Sequence, residues 1–306
     1  MAVPDLRTRR RDFRGELLGP ADPGYDDARR IYNGAVDRRP ALIARCADAD
    51  DVAAAIALAR EFDFPLAVRA GGHGVAGHAI CEGGVVVDLT RMRRVEVDVD
   101  APVVHVQGGA RLVDLDAACV PYGLVTPAGV VGTTGVAGLT LGGGLGHLLG
   151  PLGFTCDSLI GAEVVSADGA RIRTTETDEP DLLWGLRGAG GNFGVVTRFE
   201  FRLHPLETPY AGMLRYGRDG VAPAIKALRA VTDDPPLGLS GQLSVGKGPA
   251  GVEVQLVACH HGEHAEGAAA TRPLLEIPGV SGQLGPMPFL EVQTLYGEPA
   301  WGVRNY

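Results

Sequence analysis

The chain has 306 residues, a length that suggests two domains and leaves ample room for a buried core. Hydrophobic residues make up 45% and charged residues 21%, which excludes wholesale disorder; the net charge of −9 argues against a nucleic-acid partner, which would want a basic face. Glycine is the anomaly: there are 45, about twice the ordinary share of roughly 7%, and with no Gly-X-Y period they must serve turns or places where a backbone approaches a ligand closely.

The N-terminus carries Arg9, Arg10 and Arg11, the kernel of a twin-arginine signal, but Asp12, Arg14 and Glu16 follow where such a signal needs an apolar stretch. Residues 1–35 therefore read as a polar leader on a cytoplasmic protein. No apolar run reaches about 18 residues, so no membrane span is expected. Five cysteines, Cys46, Cys81, Cys119, Cys156 and Cys259, are an odd number without CxxC spacing, which fits reduced thiols rather than a disulfide framework.

In chain order, Asp48 and the acidic residues after it start a helix, and Val52, Ile56 and Ala59 carry it to about residue 61. A strand over 65–69 runs into the turn 70–74, and 85–89 reads as a buried strand. Residues 95–99 and 103–106 form a hairpin around Asp100, and 112–120 is a helix ending near Gly123. Strands over 161–166 and 171–174 flank the turn at 167–169, and a further strand covers 195–203. Two prolines at 205 and 209 mark a boundary. Beyond it the pattern predicts helices over 221–231 and 263–275, and strands over 239–245 and 252–258 around a loop at 246–251. That makes an α+β second domain.

Three glycine-rich segments carry the chemistry: 69–78, 129–146 and 186–194. The second holds eight glycines in 18 residues, where average usage gives about one. Successive N–H groups in such turns form a concave nest for phosphate oxygens, and glycine keeps side chains out of the way. One such segment is ordinarily a tight turn between strands; three point to a large phosphate-bearing ligand. The glycines around 142–146 sit deep in the chain with no clear preceding strand, which argues against a nicotinamide Rossmann enzyme. GxxxxGK[ST] and GxSxG are both absent, which excludes a P-loop and an α/β-hydrolase elbow.

The chain resembles the FAD-linked oxidases of the vanillyl-alcohol-oxidase/p-cresol-methylhydroxylase superfamily, in the berberine-bridge-enzyme-like branch. The resemblance rests on residues 65–74 (Pro-Leu-Ala-Val-Arg-Ala-Gly-Gly-His-Gly), 86–92, 126–130, 135–144, Asp157, 167–169, 183–197 and 288–293. It implies an α+β fold: a two-subdomain FAD-binding domain of the p-cresol-methylhydroxylase type over 36–205, then an incomplete α+β substrate domain with an antiparallel sheet over 206–306. It implies FAD contacts from Arg69, Ala70, Gly71, Gly72, His73, Gly74, Val75, Gly77 and His78. Further contacts are implied from Gly129, Thr133, Thr134, Gly135, Gly138, Gly142 and Gly143, and from Val195. Arg69 would approach a phosphate or pair on the surface. The resemblance also places His73 at the histidine bonded to the flavin 8α-methyl; a hydrogen bond to the pyrophosphate is the plainer role. Some members add a cysteinyl bond, but Val131 stands at that position, so the link should be single, and Cys156 reads as a packed thiol.

The implied reaction is hydride transfer from a substrate C–OH or C–NH carbon to covalently bound flavin, with dioxygen as electron acceptor. A flavin-binding protein without turnover is the alternative. The family's chains are longer, and residues 301–306 resemble a point inside the substrate domain. The catalytic base is therefore expected beyond Tyr306, and neither Glu291 nor Tyr296 is assigned. His260, His261 and His264 lack metalloprotease order and are expected to bind no metal; His105 and His147 read as structural.

Overall fold

The computed structural model describes residues 13–233, 238–248, 251–297 and 300–304. Arg9, Arg10 and Arg11 lie outside the described residues. Strand β1 (Glu16–Leu18), helix α1 (Tyr25–Ala28), β2 (Leu42–Arg45), α2 (Ala49–Glu61), β3 (Leu66–Arg69) and β4 (Val85–Asp88) come first. Their strands form a sheet in the order β1-β2-β4-β3, with β4 parallel to β2 and β3 and β1 antiparallel to β2. Helix α2 begins where the Asp48 carboxylate accepts the N–H groups of Asp50 and Asp51. Val85 and Val87 pack with Val52, Ala55 and Ile56 of α2, while Val86 packs with Tyr25, Ile43 and Ala67 on the opposite face. Burial on both faces is why 85–88 reads as an unbroken apolar run.

The expected leader is corrected in part. Residues 16–18 pair with β2, and Tyr25 is 1% exposed, its hydroxyl donating to the Pro40 carbonyl. This stretch is too short and polar to announce itself as a strand; it is one because an edge of the sheet is open to it.

The next block holds β5 (Val95–Asp98), β6 (Val103–Gln107), α3 (Leu112–Cys119), β7 (Leu124–Val125), α4 (Val136–Leu141), α5 (Leu149–Leu152), β8 (Leu159–Val165), β9 (Arg171–Thr175), α6 (Pro180–Leu186), β10 (Val195–Arg202) and β11 (His204–Pro205). Five strands make an antiparallel sheet, β5-β6-β10-β8-β9, and β11 pairs with β7. Leu112 and Leu115 of α3, Val136 of α4 and Leu183 and Leu186 of α6 pack on Phe199 and Phe201 of β10. Helix α4, inside the glycine run, was not expected. It is held from outside by the bond from Val136 N–H to the Ala110 carbonyl.

The last block holds β12 (Tyr210–Gly217), α7 (Val221–Asp233), β13 (Leu239–Gly248), β14 (Gly251–His260), α8 (His264–Leu275), β15 (Ser281–Pro286) and α9 (Phe289–Val292). The antiparallel sheet runs β13-β14-β12-β15, and α7 and α8 cover Leu214, Tyr216, Val254 and Leu256. The sequence missed β12 and β15, which are rich in glycine. The glycines permit close strand approach: a Cβ on Gly212 would meet the Gln283 carbonyl at 2.1 Å. The loop expected at 246–251 is mostly ladder, paired as far as Gly248 and Gly251. Among the described residues no helix is long and apolar enough to cross a membrane.

Candidate functional site

The loop after β3 is backed by residues 32–36. Tyr32 N–H donates to the Gly72 carbonyl, the Asn33 carboxamide donates to the Val75 carbonyl, and Gly77 sits tight on Val36. Gly72 has φ +68°, a conformation that suits glycine. His73 is half-buried and stacks on Tyr32 at 5.0 Å between ring centroids, while Trp301 meets it edge-on at 5.2 Å. Val75 and His78 are exposed. Arg69 turns inward: its guanidinium donates to the Ala28 carbonyl, and burial lowers its pKa, with Asp88 opposing and Arg45 and Arg111 adding. The Arg69 guanidinium is thus engaged with the α1 end at the Ala28 carbonyl.

The three glycine segments converge. A Cβ on Gly71 would lie 2.2 Å from the Gly135 nitrogen, so the first and second segments touch backbone to backbone. Gly135 is the N-cap of α4, and the Gly190 N–H from the third segment donates to the Leu141 carbonyl at the helix's other end. Leu112 and Val113 N–H groups of α3 hold the Thr134 and Gly132 carbonyls.

The glycines fall into two kinds. Gly71 and Gly135 are locked against each other, and Gly129 is packed under Leu112 and Leu139. Gly74 and Gly138 face open space, with nothing within 4 Å of an added Cβ, as do Gly188, Gly190 and Gly191. Gly142 and Gly143 close the end of α4 through their N–H groups, and Ala70 packs on the core of the second sheet. The side chain of Val195 belongs to the core under β4, leaving only its main chain for a ligand.

The cradle suits a dinucleotide. Residues 69–78, 126–146 and 183–194 contain no carboxylate. Among the described residues the buried Thr133 and Thr140 hydroxyl oxygens have no hydrogen-bond partner, which is how polar groups stand where a ligand supplies the bond. Cofactor atoms in the space beside Gly74 and Gly138 would meet backbone rather than side chains.

Across the second segment, His147 stacks on Tyr296 at 5.7 Å. Burial pushes the His147 imidazole down to about 4 and the Tyr296 hydroxyl above its ordinary value. Glu291 is exposed. His264 meets the Thr208 carbonyl at 2.7 Å, and His260 lies buried 3.9 Å from Glu266. Among the described residues no group of three His, Cys, Asp or Glu is arranged to hold a metal ion. Sequence reasoning missed Tyr32, Trp301 and the carboxamide of Gln293, which donates to Asp116 and to the Gly129 carbonyl.

A family model described as an FAD binding domain matches residues 40–175. The (R)-6-hydroxynicotine oxidase of Paenarthrobacter nicotinovorans is 38% identical over 194 residues, covering 63% of this chain and 42% of the relative. The crystal structure of 6-hydroxy-D-nicotine oxidase from Arthrobacter nicotinovorans superposes with a TM-score of 0.91 at 30% identity, covering 99% of this chain and 67% of that one. A glucooligosaccharide oxidase from Acremonium strictum, described as carrying a 6-S-cysteinyl, 8α-N1-histidyl FAD, has a TM-score of 0.83 at 27% identity, with 98% of this chain and 65% of that one covered. The chain spans about half the length of the curated relatives it matches.

Proposed function

The chain belongs to the FAD-linked oxidoreductases of the vanillyl-alcohol-oxidase/p-cresol-methylhydroxylase type, berberine-bridge-enzyme-like branch, and from that membership we propose that it is an oxidase of a small molecule. FAD, when bound, supplies a hydride acceptor for a substrate carbon bearing OH or NH and passes the electrons to dioxygen, giving hydrogen peroxide. The observation that carries this reading is the meeting of three carboxylate-free glycine segments, Gly71 against Gly135 and Gly190 on the end of α4. Their backbones leave room for a diphosphate, and the buried Thr133 and Thr140 hydroxyls offer it or the ring system hydrogen bonds.

His73 is the attachment residue in this reading. Tyr32 and Trp301 hold its ring on two sides, and a neutral imidazole nitrogen is a good nucleophile near pH 7. Val131 has no sulfur to offer, so the histidyl bond is single, unlike the two bonds described for the Acremonium strictum relative. We place the FAD-binding domain over 36–205 and a substrate domain over 206–306. The five cysteines, none of them paired, fit a reducing, cytoplasmic setting.

The test is direct. The purified protein should be yellow, and acid precipitation should leave the flavin in the pellet. A colourless protein that gives no binding signal with added FAD would end the reading. Peroxide release or anaerobic bleaching across a panel of cyclic amines, alcohols and sugars then separates an oxidase from a flavin-binding protein without turnover.

A further inference from the structure

Beneath the flavin-facing segment lies a buried carboxyl that the proposed reaction does not use. Asp116, on α3, is 2% exposed. It accepts a hydrogen bond at 2.7 Å from the Gln293 carboxamide nitrogen, a residue 177 positions away at the C-terminal end of α9. The same nitrogen lies 3.2 Å from the carbonyl oxygen of Gly129. Gln293 thereby ties the last described helix to the segment that leads into Val131 and the glycine run. The tie has one defect. Among the described residues the buried Gln293 carbonyl oxygen has no hydrogen-bond partner, and an ionised Asp116 has no proton to give it.

We propose that Asp116 and Gln293 are positioning residues: a protonated Asp116 carboxyl donates to the Gln293 carbonyl oxygen, and the Gln293 N–H is kept for the Gly129 carbonyl, fixing that peptide for the cofactor. Protonation supplies the one donor the clasp lacks. The surroundings favour it. Among the described residues, the titratable neighbours of Asp116 on α3 are the buried Cys119 and Asp114, and Asp114 is engaged with Arg93. Residues 126–131 carry no titratable side chain, α9 offers only the exposed Glu291, and Glu96 and Asp98 of β5, which packs on α3, are exposed, Glu96 pairing with Arg94. Burial pushes the Asp116 carboxyl up to about 7, against a smaller lowering by Gln293. Ionisation removes the bond to the Gln293 carbonyl oxygen and draws the Gln293 N–H toward the carboxylate, so the grip on the Gly129 carbonyl holds in mildly acidic to neutral solution and loosens above it.

The consequence at the flavin rests on the reading above; the clasp itself does not. The first measurement is accordingly cofactor-free. The parent chain should show the infrared C=O stretch of a buried protonated carboxyl, absent in Asp116→Asn and shifted in Gln293→Leu. Absence of that band from the parent, or a band unmoved in Gln293→Leu, overturns the clasp. The second is FAD affinity by fluorescence titration in a His73→Ala background, where no covalent bond fixes the cofactor. Affinity should weaken by up to about tenfold per pH unit above the Asp116 titration. It should be tight and flat with pH in Asp116→Asn, whose carboxamide keeps a donor, and weak at every pH in Gln293→Leu. Asp116→Asn behaving like Gln293→Leu would refute the neutral-acid role. A titrating infrared band in a chain that binds no FAD would leave the clasp standing and remove the flavin reading.

Discussion

Two alanine substitutions that look alike in the sequence should act oppositely, because the added methyl meets backbone in one and empty space in the other. In Gly71→Ala the new Cβ would lie 2.2 Å from the Gly135 nitrogen and 2.6 Å from its Cα. Ordinary contact starts at 3.4 Å, so the two loops must part by about 1.2 Å. Overpacking of this kind costs about 1–3 kcal/mol, a large share of a total stability of about 5–15 kcal/mol. At roughly 2–4 °C per kcal/mol for a chain of this order, the melting temperature of the cofactor-free protein should fall by about 2–12 °C. In Gly138→Ala the Cβ meets nothing within 4 Å, and the position lies inside α4. Alanine there gains up to about 1 kcal/mol of helix propensity, so the cofactor-free protein should melt no lower than the parent. If that empty space is where the cofactor lies, the methyl intrudes on it, and FAD affinity should drop about tenfold or more, equivalent to about 1.4 kcal/mol. Gly74→Ala, whose Cβ likewise meets nothing within 4 Å, is the second probe. The assay is differential scanning fluorimetry without cofactor, followed by FAD titration in the His73→Ala background. Unchanged FAD affinity in both Gly138→Ala and Gly74→Ala would refute the location of the cofactor, and an unchanged melting temperature in Gly71→Ala would refute the loop contact.

Three further outcomes are expected. In His73→Ala, acid precipitation should release the flavin to the supernatant, while the parent retains it in the pellet; quantitative release from the parent would show that the bond does not form. Val131→Cys should allow a second attachment to the flavin ring, read as a changed visible spectrum and as pellet-bound flavin even when combined with His73→Ala; full release from that double variant would place residue 131 out of reach of the ring. The buried His147, held down to about 4 against an ordinary 6.5, binds its proton more weakly folded than unfolded. Its contribution, about 3 kcal/mol, is complete above pH 6.5 and lost as pH falls towards 4; His147→Phe, which keeps a ring beside Tyr296, should flatten urea-unfolding stability across that window, and an unaltered acid slope would refute the assignment.

Much of the frame was legible because it is local. The Asp48 cap and the spacing of Val52 and Ile56 define α2, the apolar run at 85–88 defines a strand buried on both faces, and the turn at 167–169 joins β8 to β9. Strands β12 and β15 were not legible. Their glycines lower strand propensity, and only the neighbouring strand, approaching within reach of a bare Cα, gives those glycines a purpose.

The site divides in the same way. The sequence alone determined that three segments are rich in glycine and free of carboxylates, and that a histidine stands in the first of them, since these are properties of residue identity and spacing. The tertiary structure decided which glycines face a ligand and which face one another, because the clearance of a Cβ depends on atoms from another part of the chain. It decided that Tyr32 and Trp301 flank His73, and that Asp116 and Gln293 meet across 177 residues. No periodicity encodes those meetings; they follow from how the fold brings distant segments to one place.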